Sequence, residues 1–293
     1  MTQSLPTILT IGNFDGLHVG HRHLISTTIA VARSWGGRAV LMTFHPHPKQ
    51  FFHPVPHFFI HPVSVHEKIL SALGLDQILY LPFGDICQLS PESFFEDVVM
   101  PLDPAAIVLG DNFSFGYHKS GNIDRLRQMC AARDVALHAL PRFALDASPV
   151  SSTRIRTAIQ EGHVSAATSM LGEPYTLYDV VREGARRGHT LGFATANIRA
   201  EEQVLPKIGV YVTHVDVEDA VSGARSVTAV TRTPTFGGTE TVVETHILNF
   251  TGDIYGRKIR VHFDDFLRDE HKFDSKEALM AQLYDDCAKA AQY

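Results

Sequence analysis

The feature that most constrains the fold is a change of rhythm near residue 172. Before it, strand-like apolar runs alternate with helical stretches. Thr7–Gly12, Arg38–Phe44, Gln77–Leu81, Ala106–Gly110 and 136–140 read as buried strands. Between them lie His21–Ser34, which stops at Gly36-Gly37, a helix opened by the capping box Ser64-x-x-Glu67, one starting at Ser90-Pro91, and one near 122–133. Strands separated by helices predict a parallel sheet with right-handed crossovers. After 172 the strands crowd together: Leu177–Glu183, Gly209–Val217, Val227–Thr231, Thr241–Phe250 and Arg257–Phe263. That spacing predicts a small antiparallel barrel or sandwich. Asp274-x-x-Glu277 then opens a last helix whose Leu279, Leu283 and Cys287 face a core. The reading is therefore an α/β domain over 1–172 and a β domain over 173–293, bridged by short helices near 153–160 and 164–171. Segment 45–63, rich in His, Pro and Phe, reads as a long loop of the kind that carries function.

Composition removes several classes. A chain of 293 residues fits two domains of about 150 each. With 26 basic and 32 acidic side chains the net charge is −6, so no polycationic face suggests nucleic acid as a partner. No apolar run approaches the roughly 18–20 residues of a membrane span. The start, MTQSLPTILTIG, lacks the basic region of a signal peptide. Cys87, Cys130 and Cys287 are odd in number and lack CxxC spacing, which fits reduced thiols in a cytoplasm. Nothing in the sequence fixes the oligomeric state.

Chemistry concentrates in two segments. GNFDGLHVGH, residues 12–21, is neither a dinucleotide fingerprint nor a P-loop. It places His18 and His21 on one face at the start of a helix, where free N–H groups and the helix dipole suit a phosphate. Two imidazoles there can stabilise charge developing on an α-phosphate. The plainer alternatives are a histidine pair satisfied within a turn, or half of a metal site. The second segment, VSSTRIR at 150–156, offers the hydroxyls of Ser151, Ser152 and Thr153 and the fork of Arg156 as a phosphate clamp. Its alternative is ordinary helix capping. His45, His47, His53, His57, His61 and His66 fall within 22 residues. Irregular spacing, with no Cys or Asp among them, weighs against zinc.

In order along the chain, GNFDGLHVGH, TFHPHP (43–48), LGDNFSFG (109–116) and SSTRIR resemble the bacterial FAD synthetases, which join an FMN adenylyltransferase to a riboflavin kinase. RRGHTLGFATANI (186–198), GVYV (209–212), PTFGG (234–238), VETHILNF (243–250), DIYG (253–256) and LRDEHKFDS (267–275) resemble the kinase module. The resemblance runs from about residue 7 to 292. It implies a Rossmann-like HxGH nucleotidylyltransferase domain followed by a riboflavin-kinase-like β-barrel with a C-terminal helix. It implies ATP, FMN, riboflavin and Mg²⁺ as ligands, with FAD as the product. Asn13, Asp15, His18 and His21 would surround the ATP phosphates. His47, Pro48, Asn112, Phe113 and Phe115 would line the FMN side, and Ser151, Ser152, Thr153 and Arg156 would hold the triphosphate. In the second domain, Gly184, Gly188 and Gly192 would let a loop approach ATP, Thr195 and Asn197 would face the metal, and Glu244 would be the base. Departures exist. The family's PTAN is here ATAN, with Ala194 before Thr195. The stretch 229–236 lacks the usual Asn and Gly, His45 stands where an acidic residue is frequent, and Ser114 replaces a frequent basic one. They leave an alternative: a chain that only makes FAD from FMN, its second domain inactive or merely binding flavin. A cytidylyltransferase of the same superfamily and a silent flavin sensor are the more distant readings.

Overall fold

The computed structural model describes residues 5–183, 195–235 and 238–293. Gly184, Gly188, Gly192 and Ala194 lie outside the described residues. The chain divides into two compact units, Met1–Val55 with Val63–Ser151, and Pro56–Pro62 with Ser152–Tyr293.

The first unit is built on a parallel sheet. Its strands are β1 (Thr7–Ile11), β2 (Arg38–His45), β3 (Gln77–Pro82), β4 (Pro104–Gly110) and β5 (Ala136–Leu140), in the order β3-β2-β1-β4-β5. The helices α1 (Val19–Ser34), α2 (Pro48–Phe52), α3 (Val63–Ala72) and α4 (Ile123–Ala131) connect them, together with shorter helical turns. Because both faces of the sheet are covered, the strands are apolar without alternation. Leu9, Ile11, Val40, Met42, Ile107 and Leu109 are buried on one face. Ile8, Ala39, Ala106 and Val108 are buried with Ala32 of α1 on the other. The strand order reverses at β1: β2 lies on one side of it and β4 on the other. Beyond the carboxyl ends of two such strands an open α/β sheet leaves a crevice for ligands. The two loops that flank this crevice are Gly12–His18 and the one starting at Asp111.

The second unit contains α5 (Ser152–Gln160), α6 (Val164–Leu171) and a six-stranded sheet. The strands are β6 (Tyr175–Val180), β7 (Thr195–Ile198), β8 (Gly209–Val217), β9 (Val221–Thr235), β10 (Gly238–Ile247) and β11 (Lys258–Arg268), ordered β6-β11-β8-β9-β10-β7. Every neighbouring pair is antiparallel. Arg182, just past β6, forms an isolated antiparallel bridge with Asn197 of β7. One face is alternately apolar, with Tyr211, Val215, Val261 and Phe263 buried. The helix α7 (Lys276–Ala290) packs Ala290 against Val210, Val212 and Val227.

Some sequence expectations shift. Ser64 lies inside α3, which starts at Val63 directly after Pro62, so Ser64 does not cap it. Ser275, not Asp274, caps α7, its Oγ accepting the Ala278 N–H at 3.1 Å. The loop 45–63 contains α2, started by Pro48 at its first position, and its end, Pro56–Pro62, belongs to the second unit. Thr195–Ile198 is a short strand that pairs with β10, and no apolar run in the sequence marks it.

Candidate functional site

The turn after β1 holds the two imidazoles by over-determined backbone. Phe14 (φ 52) and Leu17 (φ 42) are left-handed, a conformation costly for bulky side chains. Both side chains are fully buried, and that burial against Ile25, Leu41 and Leu70 offsets the strain. The Phe14 carbonyl accepts the Leu17 N–H at 3.1 Å and a ring nitrogen of His66 at 3.1 Å, which obliges His66 to donate from Nε2. His18 then caps α1: its Nδ1 accepts the His21 N–H at 3.2 Å. With Nδ1 occupied as an acceptor, the neutral ring carries its proton on Nε2. The rings of His18 and His21 stack at 3.6 Å, 17° from parallel, and the Phe14 ring meets His21 edge-on at 5.3 Å. A Cβ at Gly20 would lie 3.2 Å from Cε1 of His18, so glycine at the third place of HVGH lets the ring sit where it does.

Both imidazoles are neutral near pH 7. Burial brings His18 down to about 4, against a small opposing effect of its own backbone. Burial also holds His21 well below the ordinary range, with the charges of His18 and His66 adding to it. Burial lowers His66 as well. His21 Nδ1 is buried with no hydrogen-bond partner among the described residues. A polar atom left in that state is a common sign of a site that awaits a ligand. Asp15 is buried in the same turn, and Asn13 is exposed at its start.

Around the same carboxyl edge of the sheet the structure collects aromatic side chains that sequence reading missed. Phe44 is the last residue but one of β2, Phe83 follows β3, and Phe51 and Phe52 lie on α2. Phe83 meets Phe44, Phe51 and Phe52 at 6.0, 5.5 and 5.6 Å. Phe51 and Phe52 remain 42% and 57% exposed, an unusual state for adjacent phenylalanines. The signal was present as Phe-Phe on a proline-started turn, but it lay within a stretch read as irregular. His47 caps α2 by accepting the Lys49 N–H at Nδ1, with Pro48 next to it. At the end of β4, Asn112 is exposed and Phe113 half-buried. Phe113 stacks on Phe115 at 5.5 Å, and Phe115 is itself buried against Phe94.

Ser152 and Thr153 start α5, with Ser151 just before it. Arg156 is one turn further on. Its Nε donates to the Phe58 carbonyl at 2.8 Å, and its guanidinium lies 4.1 Å over the Phe58 ring. In the sheet of the second unit, Asn197 pairs directly with Glu244, and Thr195 with His246. Residues two apart on a strand share a face, so Thr195, Asn197 and Glu244 sit together on one polar, half-exposed side. His246 joins them, and the sequence had not singled it out. The donor set of Thr195, Asn197 and Glu244 is all oxygen, the kind a hard divalent cation takes while phosphates supply its remaining ligands. No group of three or more His, Cys, Asp or Glu arranged to hold a metal exists among the described residues.

Comparison with known proteins follows this division. A FAD synthetase family model matches residues 1–154, and a riboflavin kinase model matches 171–293. Curated relatives described as bifunctional riboflavin kinase/FMN adenylyltransferase include one from Listeria monocytogenes, 32% identical over 95% of this chain and 90% of its own length. One from Escherichia coli K12 is 30% identical over 98% of this chain and 92% of its own. A crystal structure described as a macrolide-efflux protein from Streptococcus pneumoniae superposes with a TM-score of 0.90 at 31% identity, covering 100% of this chain and 96% of that one. Efflux is named for that protein; among the described residues here, no helix is long and apolar enough to cross a membrane.

Proposed function

The chain belongs to the bacterial FAD synthetases, the bifunctional riboflavin kinases/FMN adenylyltransferases, and from that premise we propose how its side chains divide the two reactions. In the first, an FMN phosphate oxygen attacks the α-phosphorus of ATP, the bond to the β-phosphate oxygen breaks, and pyrophosphate leaves. The attacking oxyanion comes with the substrate, so the chain contributes no nucleophile. His18 and His21 act as neutral N–H donors to the charge that builds on the α-phosphoryl oxygens. A neutral donor suits this role, because it stabilises the transition state without forming a tight ion pair with the substrate. Ser151, Ser152, Thr153 and Arg156 hold the triphosphate, with Asn13 and Asp15 at the turn. The exposed rings of Phe51 and Phe52, with Phe44 and Phe83 behind them, form the apolar platform for the isoalloxazine. His47, Pro48, Asn112 and Phe113 border it, and Phe115 acts by supporting Phe113.

In the second reaction Glu244 takes the proton of the riboflavin 5′-hydroxyl as its oxygen attacks the γ-phosphorus of ATP, releasing ADP. Thr195 and Asn197 face the phosphates beside it. Magnesium, when bound, supplies charge neutralisation on the triphosphate oxygens, and the oxygen donors of this face fit it. Gly184, Gly188 and Gly192 complete the ATP loop in this reading. Free Cys87, Cys130 and Cys287 and a need for ATP suit a cytoplasmic enzyme.

The observation that carries the transferase reading is the stacked, neutral His18–His21 pair, in which the buried Nδ1 of His21 has no partner among the described residues. The test is to supply ATP and Mg²⁺ with FMN or with riboflavin and separate the flavin products. FMN should give FAD, and riboflavin should give FMN and then FAD. Absence of FAD from FMN would remove the reading.

A further inference from the structure

The support of Arg156 comes from a part of the chain far from the phosphate motifs. Phe58 sets the plane of the guanidinium twice, through its carbonyl on Nε at 2.8 Å and its ring 4.1 Å beneath the guanidinium carbon. Phe58 itself lies in a segment without helix or sheet of its own, so something else must hold its backbone. The residues after β7 do this. The His57 N–H donates to Glu201 O at 3.1 Å, the Phe59 N–H to Glu202 O at 2.8 Å, and the Val204 N–H to Phe59 O at 2.9 Å. Phe59 and Gln203 form a parallel bridge.

Gln203 is the fastening of this ladder. Its side chain is 0% exposed. Nε2 donates to Ile60 O at 2.9 Å and to Thr176 O at 2.8 Å, while Oε1 accepts the Tyr178 N–H at 2.8 Å. Thr176 and Tyr178 belong to β6, an edge strand of the sheet, whose outward backbone groups need partners. One amide thus satisfies the sheet edge and ties residues 56–62 to it.

We propose that Gln203 is a positioning residue for adenylyl transfer: by pinning the Phe58–Ile60 segment it aims the Arg156 fork at the triphosphate. The inference rests on reading Arg156 as a triphosphate ligand. It makes residues of the kinase half part of the transferase's preorganisation, so the first reaction depends on a residue 47 positions beyond Arg156.

The test uses full-length variants assayed for both reactions. Gln203→Met keeps the volume and removes all three hydrogen bonds. It should lower kcat for FMN to FAD by about 10-fold or more, the scale of a modest misplacement of a catalytic group. Riboflavin phosphorylation should stay within about twofold, because Gln203 is absent from that machinery. Phe58→Leu leaves the ladder intact and removes the ring, and should lower the same kcat by a smaller factor. In the Arg156→Ala background, adding Gln203→Met should cost FAD formation nothing further, since the group it aims is gone. Unchanged FAD formation in folded Gln203→Met, or a proportional fall of both reactions, overturns the proposal. If Gln203→Met does not fold, unchanged FAD formation in Phe58→Leu overturns it equally. Normal FAD formation in Arg156→Ala would instead show that the reading of Arg156 is at fault.

Discussion

Among the described residues each unit contains a stacked pair of histidines, and the two pairs differ in what their ring nitrogens bond. In the second unit His214 and His262 stack at 4.4 Å and 9° from parallel. His214 Nδ1 lies 2.9 Å from Asp264 Oδ2, and His262 bonds Asp216 Oδ2 at 3.0 Å and Thr176 Oγ1 at 2.8 Å. That pair is embedded in a network of carboxylates. The His18–His21 pair has only a backbone N–H for His18 and nothing for His21 Nδ1 among the described residues. Stacked imidazoles are common to both, so stacking does not distinguish function from structure. What separates the two pairs is the buried His21 Nδ1, which has no hydrogen-bond partner among the described residues.

The comparison can be broken by measurement. The largest expected effect is on His21→Ala, which should lower FAD formation from FMN by about 10²–10³-fold, the usual worth of one transition-state donor. Riboflavin phosphorylation should be retained. Equal losses in both reactions would mean that His21 serves the fold. Next comes acid stability. A His18 imidazole lowered to about 4 makes the folded state bind fewer protons than the unfolded chain below pH 6.5. Stability is therefore fully present above pH 6.5 and declines as pH falls towards 4, by about 3 kcal/mol from this residue. His18→Asn keeps an N-cap acceptor without titrating, so its melting temperature should fall less steeply between pH 6.5 and 4.5. A slope identical to the parent's would remove His18 from the account. The smallest effect is His262→Ala: about 1 kcal/mol of stability, because Asp216 and Thr176 each lose a partly buried hydrogen bond, with both activities within about twofold. A large, selective loss of activity there would invert the comparison.

The two folds were legible to different depths. In the first unit nearly every strand could be read, because strands buried on both faces are continuous apolar runs bounded by turns. Phe14 and Leu17 in left-handed backbone could not be read, since neither residue type signals it and only burial sustains it. The second unit's strands were seen, but the pairing that joins Asn197 to Glu244 is a register, and register is set by long-range packing. Capping was misjudged at Ser64 and Asp274 because a capping box matches by spacing alone, while the true cap depends on where the chain enters the helix. The 56–62 segment was the hardest case. Its hydrogen bonds reach 143 residues along the chain to 200–203, a distance at which no local pattern exists. The aromatic platform was hidden for a simpler reason: Phe44, Phe51, Phe52 and Phe83 come from three elements that only the fold brings together.

The central claim is that two separate sets of side chains run two reactions on one chain. The direct measurement is to follow both flavin products by chromatography for the parent, His21→Ala and Glu244→Gln. From FMN and ATP, the parent and Glu244→Gln should form FAD at similar rates, while His21→Ala forms it about 10²–10³-fold more slowly. From riboflavin and ATP, His21→Ala should accumulate FMN, and Glu244→Gln should lose about 10²–10⁴-fold in FMN formation, the range for a missing general base. If either variant lowers both reactions alike, or if Glu244→Gln phosphorylates riboflavin normally, the division of labour described above is wrong.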